Sequence, residues 1–216
     1  MSGEFAVIGL GQFGRAVVES LVEQGQTVLA IDKNPERAQL MERTADGIVV
    51  ADATTEAALS ELRLERMSCV VVAMPAKDTS IMVTALLRQR GTARIVARAV
   101  NPLHARVLLT VGAHEVVNPE HDMGERTARR LAQPHVLDQF LLDSSHAVAE
   151  VEVPTNFVGK SLEELDLSSR YEVTALLLRR GAGIIAAADL DGPLVEQDVL
   201  VVLGAPDAVR RIASLA

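Results

Sequence analysis

The sequence has no tryptophan, one tyrosine and four phenylalanines in 216 residues, so any core must be built from valine, leucine, isoleucine and alanine. Its single cysteine, Cys69, excludes an internal disulfide framework and a cysteine zinc cluster. Long apolar runs are also missing: stretches such as Val70–Met74 fall far short of the roughly 20 mostly apolar residues that span a bilayer. Met1–Glu4 carries no basic stretch ahead of the first apolar run, so no signal peptide is expected. Lys and Arg (21) are outnumbered by Asp and Glu (29), for a formal net charge of −8 and a pI near 5.2. That balance disfavours a nucleic-acid partner, which requires a basic face.

Signatures of several enzyme classes are absent as well. There is no G-x-S-x-G, no P-loop G-x-x-x-x-G-K-S/T and no H-E-x-x-H. The five histidines, His104, His114, His121, His135 and His146, show no metal-ligand spacing, none pairs with a plausible nucleophile, and all are expected to be solvated. Cys69 opens an apolar run and is expected to be an inert core thiol. What is present is 49% hydrophobic and 23% charged residues, enough for a core and too apolar for disorder. The length suits one large or two small domains. The expectation is a soluble, cytosolic, aliphatic-rich α/β protein.

Along residues 1–118, short apolar runs alternate with amphipathic ones. Glu4–Gly9, Thr27–Asp32, Gly47–Val50, Cys69–Met74, Arg94–Ala99 and Glu115–Val117 read as strands, nearly continuous in hydrophobicity as in a parallel sheet buried on both faces. Between them, Phe13–Gln24, Pro35–Arg43, Thr55–Leu62, Thr79–Arg90 and Pro102–Val111 read as helices. Gly25 and Gly91 follow helix ends, Pro35 and Pro102 stand at first helical positions, and Thr55 is a candidate cap. This alternation predicts a doubly wound parallel sheet with right-handed crossovers.

Pro119–Gln133 reads as a helix with an acidic first turn, Val136–Leu142 as a short apolar helix, and Asp143–His146 as a linker. Beyond it, Ala147–Val153, Glu172–Arg179, Gly183–Ala188 and Leu200–Leu203 read as strands, Ser161–Leu165 as one helical turn and Asp207–Leu215 as a closing helix. The expected division is a doubly wound domain over 1–118, a crossover helix and linker over 119–145, and a small α+β domain over 146–216. A domain that small lies near the lower limit for independent stability, and pairing with a second copy is expected.

Gly9-Leu10-Gly11-Gln12-Phe13-Gly14 is a G-x-G-x-x-G between an expected strand and an expected helix, with Asp32 eighteen residues past Gly14 at the end of the next strand. In that Rossmann-like context each glycine has a task. Gly9 makes the tight turn, Gly11 admits a phosphate to the backbone, and Gly14 lets helix and strand approach. Gln12 and Phe13 belong to the same helix start, whose amides and dipole hold the phosphate. Asp32 can accept hydrogen bonds from ribose hydroxyls, and its charge disfavours a 2′-phosphate, an effect that the neighbouring Lys33 softens.

Other candidates lie at carboxyl ends of strands, where the ligand crevice of a doubly wound fold is found. Asp52, followed by Ala53, either reaches the adenine edge or caps the next helix. Ala73 and Met74 end the fourth strand beside the crevice. Arg98 either neutralises phosphates or forms a surface salt bridge. Glu120 either ligates a hard divalent cation or is a favourable first-turn charge. No catalytic acid or base accompanies the dinucleotide motif, which argues against a small NAD-dependent oxidoreductase, the alternative reading. A redox-sensing transcription factor would need a basic helix-turn-helix, which is missing.

Beyond the glycine motif, the chain shows Asp32-Lys33-Asn34, Ala51-Asp52-Ala53-Thr54, Gly112-Ala113, Asn118-Pro119-Glu120-His121-Asp122-Met123-Gly124, Phe157-Val158-Gly159-Lys160-Ser161-Leu162 and Gly204 after Val199–Leu203. With these, nearly its whole length resembles the RCK family, the TrkA or KtrA type regulatory subunits of potassium transport. The resemblance implies a non-enzymatic, nucleotide-sensing gating subunit that binds ATP, ADP or NAD(H). Gly9, Gly11 and Gly14 would line the phosphates, Asp32 would take the ribose and Asp52 the adenine, with Glu120 on a divalent cation (Mg or Ca) near the phosphates. It also implies homodimers formed through the crossover helix, an octameric ring beneath an integral membrane potassium pore of the TrkH/KtrB type, and a place in the cytoplasm at the inner face of the membrane. In relatives the C-terminal domain can take small regulators, including cyclic di-AMP. Gln12 departs from the pattern, because KtrA-type members commonly place arginine there. A neutral amide lacks the charge-assisted strength of a guanidinium toward a terminal phosphate, whereas binding of NAD, ADP or AMP does not need that contact.

Overall fold

The computed structural model describes residues 3–215 and divides into two compact units between Met123 and Gly124. In the first unit, β1 (Glu4–Ile8), β2 (Thr27–Asp32), β3 (Gly47–Val50), β4 (Cys69–Val72), β5 (Ile95–Arg98) and β6 (Glu115–Val117) form one sheet in the order β3-β2-β1-β4-β5-β6. Every pairing in it is parallel. The strands alternate with α1 (Gln12–Glu23), α2 (Pro35–Gln39), α3 (Glu56–Leu62), α4 (Lys77–Gln89) and α5 (Pro102–Val111).

The continuous apolar runs are explained by a core on each face. Ala6, Ile8, Val70 and Val72 enter one cluster with Leu59, Val83 and Leu108. Their alternates Val7, Cys69 and Val71 enter the other with Leu10 and Val18. Successive strand residues point to opposite faces, so a sheet covered on both sides must be apolar at every position. The chain moves outward from β1 in both directions, and the order reverses between β1 and β4, where ligand crevices of this architecture lie.

Several helix starts are fixed by side chains that satisfy free amides. Asn34 accepts hydrogen bonds from the Glu36 and Arg37 amides at 2.8 and 3.3 Å, with Pro35 at the first helical position of α2. Asn101 accepts from the His104 amide at 2.8 Å at the start of α5, which Gly112 closes at φ +117°. Helix α2 stops at Gln39, short of the expected Arg43, and residues 40–44 are turns.

Helix α6 (Pro119–Ala132) crosses the division point and has no buried residue; Met123 and Leu131 are 58% and 76% exposed. The expected helix over Val136–Leu142 is instead the strand β7 (Val136–Leu141), and the expected linker Asp143–His146 is a hairpin turn. Strand β7 pairs antiparallel with β8 (Ala147–Glu152). One Asp143 oxygen takes the amides of Ser145 and His146 at 2.6 and 2.7 Å, which pins the turn. Those bonds, from the Ser145 amide and hydroxyl first, hold the Asp143 carboxyl down at about 2.

The second unit is completed by α7 (Leu162–Leu165), α8 (Leu167–Tyr171), β9 (Val173–Arg180), β10 (Gly183–Ala186), β11 (Val199–Gly204) and α9 (Pro206–Ala213). Its antiparallel sheet runs β10-β9-β11-β8-β7. One face packs on α9 through Ala208, Val209 and Ile212 and on Phe157, whose ring meets Tyr171 edge-on at 5.4 Å. Asp198, 1% exposed, receives Arg180 Nε and Nη2 at 2.9 and 2.7 Å and the Val195 amide at 2.8 Å, tying the 193–198 loop to β9. Among the described residues, no helix is long and apolar enough to cross a membrane.

Candidate functional site

The glycine turn is shaped by close backbone approaches. Gly9 sits at φ +96°, a conformation costly for any residue with a Cβ, and its amide donates to Ile31 O at 2.8 Å. A Cβ on Gly14 would lie 1.9 Å from Gly9 O and 3.1 Å from Ala73 Cβ, so only glycine lets α1 rest on β1 and the end of β4. Gly11 is different: a Cβ there would meet nothing within 4 Å. It stands at the N-cap of α1, where no side chain caps the amides and no acidic residue occupies the first turn. The first amides of the twelve-residue helix therefore have no side-chain cap, and the space at Gly11 is open, as an anionic ligand requires. Gln12 is exposed at this start, while Phe13 is half-buried against the core beneath it.

Asp32 ends β2 and is 6% exposed. Its Oδ2 accepts the Leu10 amide at 2.7 Å and its Oδ1 the Asn34 amide at 2.8 Å. The carboxylate thus ties the glycine turn to the start of the next loop. A cleft of about 620 Å³, including the solvent at its mouth, opens beside it. Gly9, Asp32, Lys33, Asp52, Ala53 and Met74 line this cleft, and Ala73 lies directly beneath Gly9. The sequence candidates from four strand ends therefore meet at one opening.

Asp52 is exposed at the rim and does not cap α3. That cap is Thr55, whose Oγ1 accepts the Ala58 amide at 3.3 Å. Asp52 Oδ1 instead receives the Thr54 hydroxyl and amide at 2.7 and 3.0 Å. These bonds, helped by Lys33, hold its carboxyl below the ordinary carboxylate range against a small effect of burial. Asp52 is therefore anionic at neutral pH.

Arg98 and Glu120 do not line the cleft; they pair with each other across β5 and the start of α6. Among the described residues, no group of three or more His, Cys, Asp or Glu could hold a metal ion. The described residues of this chain do not by themselves fit the divalent cation expected at Glu120.

His104 departs from expectation: it is 3% exposed rather than solvated. Its Nδ1 accepts the Val100 amide at 3.3 Å, which leaves Nε2–H to donate to Ser80 Oγ at 3.0 Å; Ser80 in turn donates to Lys77 O at 2.9 Å. Burial first, then the nearby Lys77 charge, lowers its pKa and keeps the ring neutral. His114 also has fixed partners, its Nδ1 accepting the Ile95 amide at 3.0 Å. Cys69 is buried as expected, and burial raises its thiol pKa.

Sequence reasoning missed Arg37 and Thr79, which both line the cleft. Arg37 Nη1 lies 4.0 Å from Asp32 Oδ2. Arg37 stands five residues after Asp32, and the sequence marks it only as a basic residue within a helix opened by Asn34 and Pro35.

Residues 5–119 match the TrkA-N domain and residues 148–216 the TrkA-C domain. The chain is 32% identical over 212 residues to the Ktr system potassium uptake protein C of Bacillus subtilis, covering 98% of this chain and 96% of that one. It is 36% identical over 205 residues to the Ktr system potassium uptake protein A of Vibrio alginolyticus, covering 94% and 93%. Among solved structures, the GsuK RCK domain superposes with a TM-score of 0.70 at 20% identity, over all of this chain and 48% of that one. The GsuK channel bound to NAD gives a TM-score of 0.68 at 19% identity, over all of this chain and 39% of that one. This chain thus spans less than half of each solved chain, and at such identities the likeness shows a shared fold.

Proposed function

The chain belongs to the TrkA/KtrA-type potassium transport family, with a TrkA-N followed by a TrkA-C domain, and on that basis we propose that it is the nucleotide-binding regulatory subunit of a potassium uptake system. The observation that carries the reading is the uncapped, acid-free start of α1 over Gly11, opening beside the cleft that Asp32 and Asp52 line.

In this reading the phosphates of ADP, ATP or NAD(H) meet the amides at Gly11–Phe13, and Gly11 admits them because nothing occupies the space where its Cβ would be. The ribose lies at Asp32, with the adenine toward Asp52, Ala53 and Met74. The domain that does this spans residues 1–118. Residues 146–216, together with β7, form the C-terminal domain, and residues 119–135 carry the crossover.

Regulation is a population shift. A nucleotide that contacts one arrangement of the assembled subunits better than another biases the assembly, and a ligand with equal affinity for both changes nothing. Dimerisation through α6 is supported by its having no buried residue and by the exposed Met123 and Leu131. A ring of eight beneath a membrane pore subunit at the inner face of the membrane is carried by family membership alone, as is cyclic di-AMP at the C-terminal domain.

Native mass spectrometry of the purified chain tests the reading. The expected result is a nucleotide-bound oligomer whose subunit number or stability changes between ADP and ATP or between NAD and NADH. An assembly that carries no adenine nucleotide and responds to none would overturn it. Sustained NADH consumption with a carbonyl substrate would show an oxidoreductase instead.

A further inference from the structure

Taking the cleft as the nucleotide site proposed above, we infer that His104 is a positioning residue for it. Through Ser80 it holds the first turn of α4, which is one wall of the cleft. Only the neutral ring can do so, and bound nucleotide and a protonated His104 therefore oppose each other.

The wall needs a brace. Helix α4 begins on an N-cap, Ala76, that supplies no side-chain hydrogen bond. Pro75, Ala76 and Thr79 line the cleft together with Gly9 and Asp32. Residues 75–78 are exposed and Thr79 is half-buried, which leaves little apolar packing to hold the turn. The first buried side chain of the helix is Ser80, 0% exposed. Its hydroxyl donates to Lys77 O and its amide to Ala76 O, each at 2.9 Å, so where Ser80 stands the turn stands. From α5, His104 Nε2–H donates to Ser80 Oγ at 3.0 Å and ties that turn to the neighbouring helix.

The ring can do this in one charge state. Its Nδ1 accepts the Val100 amide at 3.3 Å and so carries no proton, which leaves Nε2–H to reach Ser80. A proton added at Nδ1 would set N–H against N–H at Val100. The ring, 3% exposed, must then give up that place, and with it the line to Ser80. The charges that act on the ring are Lys77 and Asp78, both exposed on the turn that it braces. Burial and then Lys77 disfavour the cation, while Asp78 favours it. A nucleotide seated against Ala76 and Thr79 needs the turn in place and so selects the neutral ring.

NMR of the full chain, with the His104 ring assigned by its contacts to Val100 and Ser80, tests the inference. Its titration midpoint is read without ligand and with NAD or ADP, whichever gives a calorimetric heat at pH 7.5, at about a hundredfold over its Kd. Strict exclusion would lower the midpoint by about two pH units at that saturation, and a fall of about one unit or more is expected. A bound anion acting through its charge alone would raise the midpoint, so the sign separates the two causes. Ser80→Ala, which removes the link and keeps the ring, is expected to lose most of the fall. A wild-type midpoint that stays or rises on binding, or a Ser80→Ala variant that keeps the full fall, would overturn the inference and leave the nucleotide site standing. Absence of heat from both probes would overturn the site itself, and the inference with it.

Discussion

Gly14 lies so close over Gly9 that a methyl group on it would stand 1.9 Å from the Gly9 carbonyl oxygen, whereas the same group on Gly11 would meet nothing within 4 Å. The two positions therefore separate packing from binding. Gly14→Ala must push α1 off the sheet and is expected to destabilise the first unit by about 3 kcal/mol or more, in the range of overpacked cores. Gly11→Ala loses only a preferred cap residue, about 1 kcal/mol, yet puts a methyl where a phosphate must sit. Thermal melts and nucleotide titrations on both variants check this: Gly11→Ala should keep its melting temperature within about 4 °C and lose affinity, and Gly14→Ala should melt early.

His104 makes the stability of the first unit depend on pH. Its native pKa is lowered by burial and by Lys77, so the unfolded chain binds a proton at higher pH than the native one does. Its contribution is complete above the ordinary histidine value of about 6.5 and is lost as pH falls from there toward the lowered native value. Lys77 and Asp78 are the charges that act on it, with opposite signs. Melting temperatures of wild type and His104→Asn between pH 7.5 and 5.5 should show a steeper fall for the wild type. Equal slopes would contradict it.

Asp198 anchors the second unit. Burial alone would raise its carboxyl pKa, but Arg180 and the Val195 amide outweigh burial and hold it below the ordinary range. Asp198→Ala leaves Val195 N–H and Arg180 without their acceptor and is expected to cost about 3 kcal/mol, the lower end for broken buried pairs because Arg180 is partly exposed. Chemical denaturation should register that loss, with nucleotide affinity unchanged because no cleft residue lies in this unit.

Much of the fold was legible, and the misses have physical causes. The parallel strands show because burial on both faces demands an apolar residue at every position, as in Val70–Val72. Val136–Leu141 was misread because β7 is an edge strand whose Phe140 and Leu141 are exposed, so apolar residues at 136, 137, 140 and 141 match a helical period as well as a strand. The burial of His104 depends on Ser80, twenty-four residues away on another helix, which no local pattern reveals. Strand-end candidates such as Asp52 and Met74 were readable from topology, since a doubly wound sheet gathers its carboxyl ends. Arg37 was not, because a helix position does not say which side faces a cleft until the helix has docked through Ala38. The two-way choices at Arg98 and Glu120 could not be linked in sequence, where they stand twenty-two residues apart, although the fold makes them partners.

The most direct test is a calorimetric titration of ADP into the wild type and into Asp32→Ala. Asp32 supplies the ribose contact and braces the glycine turn through Leu10, and charged hydrogen bonds of this kind are worth about 1.5–3 kcal/mol each. Saturable binding by the wild type and affinity lower by about tenfold to a hundredfold in the variant is the predicted outcome. Equal affinity in the two proteins, or no heat from either, would contradict an adenosine ligand seated over the first turn of α1.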